Sequence, residues 1–153
     1  MKIYFMSRGD FLSNISKFDA GNYALISISD NTTERREMQD ILGEQIKDCP
    51  YITTNFQDVD HQDGTGISNI QAKELLSFIK VYPDKDFIVH CFAGVSRSAA
   101  VAKFINDYYD AGNIAIENYK IHNKLVYNKL NGLCGKLSME DYYTQLEQEV
   151  RNG

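Results

Sequence analysis

The chain has 153 residues, 43% of them hydrophobic, with a formal net charge of −5. That length predicts one domain, residues 1–153, able to bury a core, and the acidic balance argues against a general nucleic-acid partner or an anionic membrane surface. No apolar run of about 18 residues predicts a transmembrane helix, the Lys2–Met6 stretch is too short for a signal-peptide core, and three cysteines without a secretion signal predict a reducing, cytoplasmic compartment.

Residues 2–6 read as a first strand, closed by Arg8-Gly9-Asp10 as a turn. Tyr23–Ile28 reads as a second, buried strand. Asn31-Thr32-Thr33-Glu34 is a capping-box start, and Met38, Ile41, Leu42 and Ile46 form the apolar stripe of the helix behind it. Tyr51–Phe56 is β-branched and aromatic, as a third strand requires. A second capping box, Ser68-x-x-Gln71, opens a helix with Ala72, Leu75, Leu76 and Ile79 on one face. A fourth strand spans 86–90. A helix spans 97–109, with Ala100, Val101, Phe104, Ile105 and Tyr108 at helical spacing. Asp110-Ala111-Gly112-Asn113 reads as a turn, helical segments fill 114–130, and a last helix starts near Ser138 with Met139, Tyr142, Tyr143, Leu146 and Val150 on one side. Strands alternating with helices predict an α/β fold: a central, mostly parallel sheet flanked by helices on both faces. Ligands of such sheets bind at the carboxyl ends of the strands.

The fourth strand runs into His90-Cys91-Phe92-Ala93-Gly94-Val95-Ser96-Arg97-Ser98. A bare Cys-x5-Arg arises by chance in about one chain in ten of this length, but adding the His, Gly and Ser lowers that to roughly one in 10^5. Strand, glycine-containing loop and helix together can curl backbone N–H groups around an anion at a helix N-terminus. The substrate-binding residues are then the loop Phe92, Ala93, Gly94, Val95 and Ser96, together with Arg97. Gly94 permits a turn that a side chain would obstruct, and Arg97 can grip two phosphate oxygens with its planar fork. The plain alternative is a buried structural cysteine beside a surface arginine. The reactive form of a cysteine is the thiolate, which a free thiol reaches only to about 3% at pH 7; a helix N-terminus, inward amides and a guanidinium all favour an anion.

This nonapeptide resembles the signature of cysteine-dependent protein tyrosine phosphatases, His-Cys-x-x-Gly-x-x-Arg-Ser/Thr, at every fixed position. The chain is more similar to the compact dual-specificity-like branch, including small bacterial and phage members, than to receptor-type catalytic domains. The low-molecular-weight branch carries its Cys near the N-terminus, whereas Cys91 lies past mid-chain. The resemblance implies hydrolysis of phosphotyrosine, with phosphoserine and phosphothreonine as further substrates, through a phosphocysteine intermediate. It implies Cys91 as nucleophile, Arg97 as phosphate clamp, Ser98 as the hydroxyl that eases departure of the thiolate, and His90 as a support that orders the loop from behind. The residue-level alternative for Ser98 is a plain N-cap.

The family takes its general acid from an Asp roughly 30 residues before the Cys. Here Asp58, Asp60 and Asp63 compete, at 33, 31 and 28 positions upstream. The family's spacing from a strand residue, Phe56 here, selects Asp58, with Asp60 as the alternative acid. His61 in the same stretch reads as a solvated loop histidine. No cofactor and no metal are expected, because acidic residues and histidines are not clustered at ligand spacing. The expected partner is a phosphorylated protein or peptide. Competing readings are a phosphatase for a polyanion such as a phosphoinositide or an RNA 5′ end, and a catalytically weak phosphate-binding module. The variable loop positions carry no cation, and Phe92 and Val95 suit an aromatic phosphomonoester. Cys49 and Cys134 read as inert thiols, with a resolving role for one of them as the alternative.

Overall fold

A computed structural model describes residues 1–18, 21–135 and 147. Four strands are present among them: β1 (Ile3–Ser7), β2 (Tyr23–Ser29), β3 (Tyr51–Asn55) and β4 (Asp86–Cys91). Six α-helices accompany them: α1 (Arg8–Asn14), α2 (Thr32–Gln45), α3 (Asn69–Lys80), α4 (Arg97–Tyr108), α5 (Ile114–Glu117) and α6 (Lys124–Leu133). The strands form one sheet in the order β1-β4-β2-β3, and every pair is parallel. The mostly parallel α/β architecture expected from the sequence is therefore present. Among the described residues no helix is long and apolar enough to cross a membrane.

The period-2 alternation of a strand divides the apolar side chains between two faces. Ala24, Ile26, Phe87 and Val89 join a core with Leu75, Ile79, Val101, Phe104, Val126 and Leu130, drawn from α3, α4 and α6. Leu25 and Ile88 point the other way, into a smaller core with Phe11, Phe18, Met38 and Leu42. Each large side chain fully buried this way contributes about 1.5–3 kcal/mol. With both faces covered, the carboxyl ends of the strands are where such a sheet presents groups to a ligand. β4 lies second in the sheet, with α1 packed on one side of it and α4 on the other, and the loop after it joins β4 to α4.

The Arg8-Gly9-Asp10 triplet is not a turn but the first turn of α1. Ser7 caps that helix, its Oγ accepting from the Asp10 N–H at 3.1 Å, and buried Phe11 anchors it to the smaller core. The helical filling of 114–130 is also interrupted. Residues 118–123 are non-helical, and α6 restarts because Asn123 caps it, accepting from the Val126 N–H at 3.0 Å. The helix expected from Ser138 onward lies outside the described residues.

The sheet register separates two of the thiols. Leu25 is level with both Tyr51 and Ile88, so Cys49 sits before that level and Cys91 beyond it. At about 3.3 Å per residue they stand on the order of 15 Å apart along the strands, well past the roughly 7 Å Cα limit for a disulfide. Cys49 instead donates to the Phe18 carbonyl at 2.7 Å. Cys49 is therefore not placed to resolve an oxidised Cys91. Cys134 follows α6, whose other end abuts the Cys91 loop, and ten residues of helix rise about 15 Å.

Candidate active site

β4 ends at Cys91 and α4 begins at Arg97, leaving five residues to make the turn. Gly94 has φ of +73°, and a Cβ there would lie 2.2 Å from the Ser7 nitrogen and 2.4 Å from the Met6 carbonyl carbon. The loop thus packs on the end of β1 so closely that only glycine fits. Its carbonyls are engaged on the outside. The Arg8 N–H donates to Phe92 O at 3.2 Å, the Tyr119 hydroxyl to Val95 O at 2.7 Å, and the Asn123 N–H to Ser96 O at 3.1 Å. In a trans peptide the N–H points opposite to its C=O. The N–H groups of Ala93, Ser96 and Arg97 are therefore turned away from those partners, into the loop.

Cys91 lies at the base of this loop and is buried. Its Sγ accepts the Gly94 N–H at 3.3 Å and sits 3.2 Å from the Ser98 Oγ. The Gly94 N–H donates to the sulfur, and between Cys91 and Ser98 either the thiol or the hydroxyl can be the donor. Ser98 therefore faces the sulfur. Ser96, with no side-chain cap bond, holds the N-cap position of α4.

Arg97 is 5% exposed. Its Nη2 meets Asp30 Oδ1 at 2.6 Å and its Nη1 donates to Phe56 O at 2.8 Å, while Nε is buried without a partner. A guanidinium has five N–H donors, so three remain for a ligand. Asp30 follows β2 and Phe56 follows β3; the carboxyl ends of two neighbouring strands orient the cation delivered by α4.

His90 is the penultimate residue of β4, just before the loop, and is buried. Its Nε2 pairs with Ser27 Oγ at 2.7 Å, and its ring stacks on Phe11 with centroids 4.4 Å apart. Burial pushes the imidazole down to about 4, the cations of Arg8 and Arg97 act in the same direction, and the Cys91 backbone opposes them. The ring is neutral at pH 7 and faces away from solvent.

The three competing aspartates have different surroundings. Asp58 Oδ1 accepts from Ser96 Oγ and from Asn123 Nδ2, both at 2.8 Å, which ties it to the Cys91 loop. Asp60 has a side chain 74% exposed and faces His61 at 3.6 Å. Asp63 accepts from the Thr65 hydroxyl at 2.6 Å and the Thr65 N–H at 2.8 Å, and these bonds hold its carboxyl below the usual range. Only Asp58 of the three bonds to the loop. Asp58, Asp60, Ser96, Ile121, His122 and Asn123 line a cleft of about 330 Å3 beside it. Phe92, 58% exposed, and Val95, 42% exposed, stand on the loop's rim, and Ala93 is exposed between them.

Asp30, Asn123, Tyr119 and Ser27 belong to the site although the sequence reading did not single them out. Asp30 directly precedes a helix cap at the end of a buried strand, the position from which a parallel sheet presents its ligating groups. Asn123 precedes Leu125, Val126 and Leu130 at helical spacing, an N-cap pattern. Tyr119 and Ser27 carry no such signal. Among the described residues no cluster of His, Cys, Asp or Glu could hold a metal ion.

Fold and site together define a parallel α/β protein with a cysteine-centred, anion-receptive loop at the carboxyl end of its sheet. No protein-family model matches the chain, and no curated protein matches it. Solved structures do. A glycine-to-alanine mutant of Tk-PTP is similar over 99% of this chain and 93% of its own, with 14% identity and a TM-score of 0.49. Tk-PTP in its active form is similar over 95% and 90%, with 15% identity and a TM-score of 0.45. The human tyrosine phosphatase-like serine/threonine/tyrosine-interacting protein is similar over 84% and 85%, with 15% identity and a TM-score of 0.47.

Proposed function

We propose that the chain is a cysteine-dependent phosphomonoesterase that hydrolyses phosphotyrosine in a protein or peptide, with phosphoserine and phosphothreonine as further substrates and no cofactor. The observation that carries this reading is Arg97: a buried guanidinium whose Nε has no protein partner, in the same loop as a cysteine sulfur that already accepts one amide N–H. Buried polar groups are almost always paired, so a donor left open here marks the place of an oxyanion.

The geometry supports the following chemistry. The Cys91 thiolate attacks phosphorus, an S–P bond forms, and the bond from phosphorus to the tyrosine oxygen breaks. Asp58, as the neutral acid, gives its proton to that oxygen. The loop amides and the free Arg97 donors stabilise charge on the three equatorial oxygens, the term expected to dominate. Water then attacks the phosphocysteine while Asp58 takes its proton. The S–P bond breaks, and the Ser98 hydroxyl eases departure of the thiolate by hydrogen bonding. Phe92, Val95 and Ile121 offer an apolar rim that suits an aromatic leaving group better than a polyanion.

Turnover of para-nitrophenyl phosphate, a phosphotyrosine peptide and a soluble inositol phosphate tests the reading. The peptide is expected to be preferred over the inositol phosphate. Cys91→Ser is expected to abolish turnover while phosphate still binds, since the amides and Arg97 remain. Activity of Cys91→Ser within tenfold of the parent overturns the covalent route, and no turnover of any ester by the parent overturns the enzyme.

A further inference from the structure

Asn123 is 3% exposed, and every polar group it has is engaged. Its N–H donates to Ser96 O in the Cys91 loop at 3.1 Å, and its carbonyl accepts the Tyr127 N–H at 3.2 Å. Its Oδ1 accepts the Val126 N–H at 3.0 Å as the cap of α6. Its Nδ2 donates to Asp58 Oδ1 at 2.8 Å and to Val59 O at 2.9 Å. One residue thus joins α6, the Cys91 loop and the segment after β3. On the other side of Asp58, Arg97 Nη1 donates to Phe56 O at 2.8 Å. The Asp58 segment is therefore tied down both before and after its carboxyl.

A backbone N–H can only donate, so Val126 must face the oxygen of the Asn123 amide. The nitrogen, with two donors and no acceptor, must then face Asp58 and Val59. Asp58 Oδ1 takes that donor and the Ser96 hydroxyl, both at 2.8 Å. A neutral carboxyl carries its hydrogen on one oxygen and still accepts through the other, which leaves Oδ2 for the proton. Among the described residues no hydrogen bond engages Oδ2, and Asp58 is exposed on the cleft it shares with Ser96 and Asn123. The Ser96 hydroxyl can reverse its bond to Asp58; the Asn123 amide cannot.

We infer that Asn123 is the positioning residue of the general acid, holding Asp58 Oδ1 so that Oδ2 carries the proton exchanged with the substrate. The inference rests on the phosphatase reading above, with Asp58 as its acid. When the bond from phosphorus to the tyrosine oxygen breaks, the proton passes from Oδ2 to that oxygen. When water attacks the phosphocysteine, its proton returns to Oδ2. The Asn123 bond to Oδ1 stays in place through both steps.

A double-mutant cycle tests it, with a phosphotyrosine peptide and para-nitrophenyl phosphate as substrates. Asn123→Ser keeps a capping oxygen for α6 and removes the donor to Asp58. A misplacement near 1 Å costs about 10²-fold, so kcat for the peptide should fall about 10–100-fold with KM little changed. Para-nitrophenyl phosphate, whose leaving group needs no proton, should lose much less. In an Asp58→Ala background Asn123→Ser should cost less than about twofold further, because the group it positions is gone. Asn123→Asp also caps a helix, but sets an acceptor against Asp58 and should lose at least as much as Asn123→Ser. Equal losses on both substrates, or an undiminished loss in the Asp58→Ala background, would make Asn123 merely structural and overturn the inference while leaving the phosphatase standing. No turnover of either ester by the parent overturns the phosphatase reading and the inference with it.

Discussion

Asp30 Oδ1 and Arg97 Nη2 meet at 2.6 Å, joining the residue just after β2 to the first residue of α4. This pair sets where the guanidinium points, because the Phe56 carbonyl takes only one further donor. If Arg97 clamps phosphate, Asp30→Ala lets the fork rotate away from the loop. A misplacement near 1 Å costs about 10²-fold in a positioned reaction, so kcat/KM for a phosphotyrosine peptide should fall about 10–100-fold, with KM rising. Asp30→Asn, which keeps an acceptor, should fall in between. Steady-state kinetics of both variants check this, and parent-like KM in Asp30→Ala sinks the positioning role.

If the chain is a phosphatase, comparing two substrates assigns its general acid. Asp58 bonds to Ser96 and Asn123 at the loop, whereas Asp60 faces solvent and His61. Asp58→Ala should slow phosphotyrosine turnover by about 10²–10⁴-fold, and slow para-nitrophenyl phosphate, whose leaving group needs no proton, much less. Asp60→Ala should cost less than about tenfold on either. A large, leaving-group-dependent loss in Asp60→Ala would transfer the role to that residue.

Gly94→Ala tests the loop itself. Its Cβ would meet backbone atoms of Ser7 and Met6, which cannot rotate aside, at a φ that alanine disfavours. The loop must shift, so activity should drop by about 10²-fold or more while circular dichroism stays parent-like. An active Gly94→Ala protein would mean that the observed loop packing is not needed for turnover.

His90 predicts an acid-side loss of stability. Its pKa in the fold is about 4, against about 6.5 in the unfolded chain. Between those values the unfolded chain binds a proton that the native state refuses, so stability falls as pH drops from about 6.5 towards 4. The loss is on the order of 3 kcal/mol. Urea unfolding at pH 7 and pH 4.5 should show a steeper decline for the parent than for His90→Asn, whatever the variant's offset at pH 7. Equal slopes would show that His90 is not the group responsible. His122, whose pKa burial also lowers, is present in both proteins and cancels.

Much of this molecule follows from local pattern. The alternation around Leu25 and Ile88, the stripes on α2, α3 and α4 and the Ser68–Gln71 capping box each act over a few residues, so backbone geometry and apolar spacing suffice to read them. The nonapeptide from His90 to Ser98 is equally local: a strand end, a glycine turn and a helix start bring the sulfur, amides and guanidinium into one loop. What tertiary structure alone decided is which distant groups meet that loop. Asp30 reaches Arg97 across 67 positions and Asn123 reaches Asp58 across 65; such pairs depend on strand order and helix docking, which no short-range pattern encodes. The same holds for Arg8-Gly9-Asp10, whose turn-like residues become helical because Ser7 caps them and Phe11 finds a core. Propensity acts along the chain and packing acts through space, and where they differ the larger buried area prevails.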